Sequence, residues 1–237
     1  MCNLYSMTRN QGAIRQLFQV KHDRAGNLPP LPGIFPDYMA PVIRRGRDGE
    51  RELVMARWGM PTPPQFRKGP IDRGVTNIRN VASAHWRAWM KPEFRCLVPA
   101  TSFCEPTDAP DPSTGRKRWT WFALAEDRPL FAFAGIWCTW RGLRGTQKNP
   151  VDGEHTLYGF LTTAPNDVVR PVHSKAMPVM LTDPAEWDAW LEADLGTALK
   201  LQRPRPAERL AIVALDQREG DSVATAPPPQ RQLSRTG

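Results

Sequence analysis

Cys2 stands directly after Met1, and cysteine is small enough for the usual methionine-removing aminopeptidase to cleave the bond before it. Loss of Met1 is therefore expected, leaving a free α-amine on the carbon next to the one that bears the thiol. One residue would then carry two nucleophiles. An α-amine has a pKa of ~7.7–8.0 against ~10.4 for a lysine side chain, so a sizeable fraction is unprotonated at neutral pH without special burial. Such an amine forms a Schiff base with an aldehyde. The neighbouring thiol can then attack the imine carbon and close a five-membered thiazolidine, with the high effective concentration of an intramolecular step. The same two groups also suit amide hydrolysis, with the thiol as nucleophile and the amine as its base. Position alone does not choose between them, because an incidental or buried cysteine also falls at position 2.

The remaining reactive residues narrow the field. Cys96, Cys104 and Cys138 form no C-x-x-C pair with each other or with Cys2, and His22, His85, His155 and His173 form no H-E-x-x-H. Neither a metal site, a disulfide framework nor a cofactor is indicated. There is no charged-then-apolar leader and no apolar run near the ~18 residues a membrane span needs. The expectation is a soluble, cytoplasmic chain with reduced thiols and no membrane partner, working as a monomer. An acylated Cys2 is excluded by the same reasoning, since lipoprotein cysteines follow a signal peptide.

The net charge is +8. From Asp216 onward Asp216, Glu219 and Asp221 cancel Arg218, Arg231 and Arg235, so the excess lies in the folded body. A polyanionic partner is one reading, with nucleic acid the first choice, and a charge kept for solubility is the other. Basic clusters at Arg44-Arg45-Arg47, Arg67-Lys68, Arg116-Lys117-Arg118 and from Arg141 to Lys148 lie near aromatic residues, a combination that suits single strands.

The elements that must position these groups are many and short. Thr8 with Gln11 resembles a capping box, and Ala13, Ile14, Leu17 and Phe18 repeat at helical spacing, which predicts a helix from Arg9 to Val20. Asp23 to Gly33 reads as loop. Strands are expected at Val42 to Arg44, Leu53 to Trp58, Phe94 to Val98, Trp119 to Leu124, Leu130 to Trp137, Thr156 to Thr162, Pro178 to Leu181 and Leu210 to Leu215. Ser83 is placed to cap a short helix carrying Trp86, Trp89 and Met90. Asp183-Pro184-Ala185-Glu186 starts a helix that should bury Trp187, Trp190 and Leu191. Strands joined by turns favour a strand-rich α+β single domain over residues 2–215, a mainly antiparallel, barrel-like sheet flanked by short helices. The polar, Pro-rich residues 216–237 read as a disordered tail.

Seven segments occur in order: Met-Cys-Asn-Leu-Tyr at the start, Trp58-Gly59-Met60, Thr76-Asn77-Ile78-Arg79-Asn80, Arg95-Cys96-Leu97-Val98-Pro99-Ala100 with Phe103-Cys104-Glu105, Phe133-Ala134-Gly135-Ile136-Trp137, Thr162-Thr163-Ala164, and Val172-His173-Ser174-Lys175-Ala176-Met177-Pro178-Val179. Together they resemble the SOS-response-associated peptidase family, whose members crosslink themselves to abasic sites in single-stranded DNA. The resemblance implies that Cys2 is the crosslinking residue, that Asn77 holds it and the opened sugar, and that Arg79 contacts a DNA phosphate. It implies that Glu105 and His173 move protons. Trp58 is the expected base-stacking residue, with Arg45, Thr162 and Ser174 as further DNA contacts. Those types suit the chemistry, because an abasic deoxyribose is mostly a closed hemiacetal that an acid or base must open. Taken alone, Glu105 would read as a surface carboxylate and His173 as a structural histidine.

The sequence departs from the family pattern at Asn3, Ser102, Cys104 and Pro106, the last replacing a common tryptophan. The function expected of the chain is abasic-site sensing through a covalent Cys2 thiazolidine, in DNA repair within the cytoplasm at the nucleoid. Schiff-base chemistry of this kind also permits lyase-type strand cleavage. The alternatives are an N-terminal-cysteine peptidase and a non-covalent reader of single strands or modified bases.

Overall fold

The computed structural model describes residues 2–217. The chain opens with β1 (Tyr5–Met7), α1 (Gln11–Leu17), β2 (His22–Asp23), β3 (Leu31–Ile34), β4 (Met39–Arg45) and β5 (Arg51–Trp58). After a long loop come β6 (Asn77–Ile78), α2 (Ala84–Arg87), β7 (Arg95–Ala100), β8 (Ser102–Pro106) and β9 (Trp119–Ala123). The hairpin β10 (Phe131–Gly145) and β11 (Pro150–Thr163) is followed by β12 (Met177–Pro178), β13 (Met180–Leu181), α3 (Pro184–Glu192), α4 (Leu195–Leu199) and β14 (Ala211–Leu215).

Strands β11, β10, β7, β4 and β5 pair in that order, and β5 returns to β11 in parallel at Arg57↔Leu157 and Trp58↔Tyr158. That last pairing closes five strands into a barrel and removes the open edges a flat sheet would expose. A second sheet runs β14-β9-β8-β1-β3. The expected strand-rich α+β single domain, mainly antiparallel and barrel-like, is the observed architecture. The two sheets share one aromatic core. Tyr5 of β1 meets Trp58, Phe133 and Phe160 edge-on at 5.1, 5.6 and 6.0 Å, and its hydroxyl lies 2.5 Å from that of Tyr158.

Several local expectations changed. Helix α1 is capped by Asn10, whose Oδ1 accepts from the Ala13 N–H at 2.8 Å. Thr8 therefore has no capping role, and the Gln11 amide instead donates to Asp23 Oδ2 and the Gly26 carbonyl. The region read as loop contains β3, which pairs with β1. Ser83 makes no side-chain cap to α2. Helix α3 forms where Asp183-Pro184 predicts it and buries Trp187, Trp190 and Leu191, while Glu186 Oε2 accepts the Thr182 N–H at 2.8 Å. Gln217 accepts a hydrogen bond from the Trp121 indole, and Asp216 pairs with Arg118 at 3.0 Å. The rest of the expected tail lies outside the described residues.

The long hairpin carries the basic stretch from Arg141 to Lys148, yet Arg144 is wholly buried. Its guanidinium reaches Asp37 Oδ1 at 2.9 Å and the Gly59 carbonyl at 3.1 Å. Gly59 and Gly74 have φ of +132° and +72°, and a Cβ at either would sit 2.7 Å from this guanidinium. Arg144 thus ties the hairpin to the loop after β5. Arg144→Met is expected to destabilise the fold by about 3 kcal/mol, the lower end for breaking a buried pair, because Arg57 still holds Asp37 at 3.1 Å. Urea unfolding checks this, and an unchanged midpoint would remove the structural role.

Candidate functional site

The period-two alternation of a strand sets the site. Phe103 and Glu105 share one face of β8, and Phe103 lies against Phe133 at 6.3 Å between ring centres. Glu105 is thereby turned into the interior and is 0% exposed. On the other face, Cys104 joins Leu4 and Trp121 in a small apolar cluster. Pairing of β1 with β8, prolonged by the Cys104 N–H to the Leu4 carbonyl at 2.9 Å, draws the start of the chain alongside Glu105.

Cys2 is likewise 0% exposed in the chain that still carries Met1. Asn77, held on β6 where it pairs with Phe160 of β11, donates through Nδ2 to the Cys2 carbonyl at 2.7 Å and to Thr76 Oγ1 at 2.8 Å. Asn77 Oδ1 is buried with no hydrogen-bond partner among the described residues. A buried acceptor left this way is costly, and a donor from substrate or from a new amine at Cys2 would satisfy it.

Burial pushes the Glu105 carboxyl up to about 8, against the pull of the positively charged amino terminus. It holds its proton at neutral pH. Burial, followed by the neighbouring Glu105 carboxyl once it ionises, raises the Cys2 thiol well above its ordinary value. The thiol is protonated and directed at the Leu4 carbonyl at 3.4 Å. Burial also lowers His173, and the amino terminus adds to that effect, so its ring is neutral. His173 Nε2 lies 3.9 Å from Glu105 Oε2, and its Nδ1 lies 3.1 Å from Asp108 Oδ1. An acid that retains its proton and a neutral base therefore stand side by side, the arrangement expected of a proton-moving pair.

Cys2, Asn77, Glu105 and His173 come together at one point. The expected DNA contacts do not all do so. Trp58 is wholly buried, stacked with Phe160 at 5.3 Å and Tyr158 at 6.4 Å, with its indole N–H on the Thr76 carbonyl. It has no face for a base; its large apolar ring fills the barrel instead. Thr162 is 2% exposed, and its carbonyl accepts from Gln202. Arg79 and Ser174 are exposed near the site, whereas Arg45 bonds the Gly49 carbonyl in the β4–β5 hairpin. Of the other clustered cations, Arg44 is taken up by Glu52 at 2.7 Å and by the Trp137 ring at 3.9 Å.

Two residues escaped the sequence reading. Asp108 lies in the loop after β8 with nothing in its neighbours to mark it. Trp119 is opposite Pro106 in the β8–β9 register and 37% exposed, so an aromatic ring stands beside the position where the family pattern has lost one. With Leu4, Phe35, Cys104 and Pro106 it lines a cleft of about 430 Å³ edged by Asn3 and Lys117. Register to Pro106 was the signal that could have found it. Among the described residues no group of three or more His, Cys, Asp and Glu side chains converges to hold a metal ion, and no helix is long and apolar enough to cross a membrane.

The chain matches the family described as SOS response associated peptidase (SRAP) over residues 1–221. A crystal structure of a Bordetella bronchiseptica protein is similar with a TM-score of 0.66 at 28% identity, covering 89% of this chain and 97% of that one. A Bacteroides thetaiotaomicron protein has a TM-score of 0.68 at 20% identity, covering 89% and 90%. A phage-related protein from Bordetella bronchiseptica gives 0.61 at 19%, covering 89% and 92%. The last two speak to fold alone. No curated protein matches the chain.

Proposed function

The chain belongs to the SOS response associated peptidase (SRAP) family, which ties it to the response to DNA damage, and from that premise we propose that it captures abasic sites in single-stranded DNA as a covalent thiazolidine on Cys2. One observation carries this reading. Chain beginnings are ordinarily exposed and loosely held, whereas here the second residue is wholly enclosed, pinned by Asn77, and close to a carboxyl that keeps its proton.

The steps follow from the protonation states. Neutral His173 takes the proton of the anomeric hydroxyl while Glu105 gives one to the ring oxygen; the C1′–O4′ bond breaks and the aldehyde forms. With Met1 gone, the Cys2 amine adds to C1′, and loss of water leaves an imine. The Cys2 sulfur then bonds to C1′, and its proton passes to the imine nitrogen. The balance is aldehyde plus aminothiol giving thiazolidine plus water. Asn77 Oδ1 offers the amine or a sugar hydroxyl an acceptor. A single strand is required because a stacked duplex would keep C1′ from the amine, and Trp119 offers a neighbouring unpaired base a ring to stack on.

A peptidase led by the Cys2 thiolate is disfavoured, because a nucleophilic cysteine needs a lowered pKa and this one is raised. The test incubates the intact protein with single-stranded and duplex DNA bearing one abasic site, alongside mass measurement of the N-terminus. Expected are loss of Met1 and an SDS-resistant band with the single strand. Retained Met1, or binding that never becomes covalent, would overturn the reading, the second result pointing to a non-covalent reader.

A further inference from the structure

We infer that Asp108 is a positioning residue: it holds the His173 ring with Nδ1 turned toward the carboxylate and Nε2 presented to Glu105, so that the three side chains act as one proton relay. The inference rests on the proposed ring-opening role of Glu105 and His173, and it adds a member that no motif marks.

The geometry is specific. Asp108 grips the histidine segment at three points. Its N–H donates to the Val172 carbonyl at 3.0 Å, its Oδ2 accepts the Ser174 N–H at 2.8 Å, and its Oδ1 lies 3.1 Å from His173 Nδ1. The residues on either side of His173 are thus bonded to the same aspartate that faces its ring. The His173 N–H goes to the Val169 carbonyl at 2.8 Å, which fixes the backbone from the other side. Hydrogen bonding, first from Ser174, keeps Asp108 ionised by lowering its pKa.

An ionised carboxylate beside Nδ1 favours the tautomer that carries its proton there, and the lone pair then sits on Nε2. Nε2 is 3.9 Å from Glu105 Oε2, beyond a direct hydrogen bond. The two oxygens on C1′ of the opening sugar fit between them, the ring oxygen within ~2.8 Å of Glu105 and the anomeric hydroxyl within ~2.8 Å of Nε2. The relay therefore closes through the substrate: Glu105 gives its proton on one side of the sugar, Nε2 takes one on the other, and Asp108 steadies the positive charge that His173 acquires. The charges of Lys117, Lys175 and the amino terminus oppose that positive charge, which leaves Asp108 as the group that raises the His173 pKa.

The test combines nitrogen-15 NMR of the imidazoles with single-turnover crosslinking. The wild-type His173 signal, identified by its loss in His173→Ala, is expected to report the Nδ1–H tautomer. Asp108→Ala should abolish that signature, move the His173 titration to lower pH and slow crosslinking by roughly 10- to 100-fold, with DNA affinity unchanged. Asp108→Asn, which keeps an acceptor and the local backbone contacts, should restore part of both. In a His173→Ala background Asp108→Ala should change nothing further. An unaltered tautomer in Asp108→Ala, or equal slowing with and without His173, would overturn the relay. The NMR arm needs no crosslink, so failure of the capture chemistry and failure of the positioning role are read separately.

Discussion

Cys2→Ala protein, mixed with single-stranded DNA carrying one abasic site, is expected to yield an adduct that survives SDS only after borohydride reduction. Alanine at position 2 is also exposed when Met1 is removed, so the α-amine remains and an imine still forms. What disappears is the sulfur that closes the ring. The amount of heat-stable product without reductant should fall at least about 100-fold, because the intramolecular capture supplying the permanence has been deleted. The burial that keeps the thiol protonated argues for this order of events, amine first and sulfur second. A heat-stable band of undiminished intensity in Cys2→Ala would relocate the crosslink to another residue.

Glu105→Gln should have a comparably large effect on rate, about 10²- to 10⁴-fold slower crosslinking, the range for loss of a positioned acid. The pH profile carries the diagnosis. In the wild type the reaction needs an unprotonated amine, which sets the acidic limb, and a protonated Glu105, lost as pH rises through about 8, which sets the alkaline limb. Glutamine removes the alkaline limb. DNA offering an already open aldehyde should recover much of the lost rate. The same carboxyl also influences stability. Its folded pKa of about 8 lies above the ordinary 4.5, so between these values the folded state holds a proton that the unfolded state has released. Its contribution to stability is fully present below pH 4.5 and is lost as pH rises through about 8, by a few kcal/mol in all. Glu105→Gln should flatten that fall, and denaturant unfolding at about pH 5 and about pH 8.5 measures it. A steep decline in both proteins would place the titrating group elsewhere.

The parts of this fold that could be read in advance were those whose causes are local. Helix α3 carries its own start signal in Asp183-Pro184, and its tryptophans recur at helical spacing. The β10 and β11 cores announce themselves by apolar runs. By contrast β1, β3 and β8 are short, and their order comes from pairing with one another across long stretches of chain, which no window of sequence contains. Asn10 rather than Thr8 caps the helix because α1 begins at Gln11, which puts Asn10 at the N-cap with its Oδ1 on the Ala13 N–H. The four residues of the candidate site were legible through a resemblance and through the chemistry of an aminothiol. Asp108 was not, since an aspartate in a polar loop becomes meaningful only when folding brings it 3.1 Å from His173. Trp58 looked like a contact because tryptophan serves both surfaces and cores, and only the closure of the barrel decides which.

The enclosure of Cys2 has a bearing on when Met1 can leave. The groups around Cys2 come from Asn77, Glu105 and a β8 strand that in turn needs the barrel, whose β11 runs to Thr163 and whose His173 segment comes later still. During synthesis at ~5–20 residues per second, those segments emerge many seconds after the N-terminus does. On the proposed reading, a nascent chain would present Met1 to an aminopeptidase over an interval that closes as folding encloses Cys2. On that reading, maturation of Cys2 would be ordered by translation, because a molecule that folds before trimming has already enclosed Cys2.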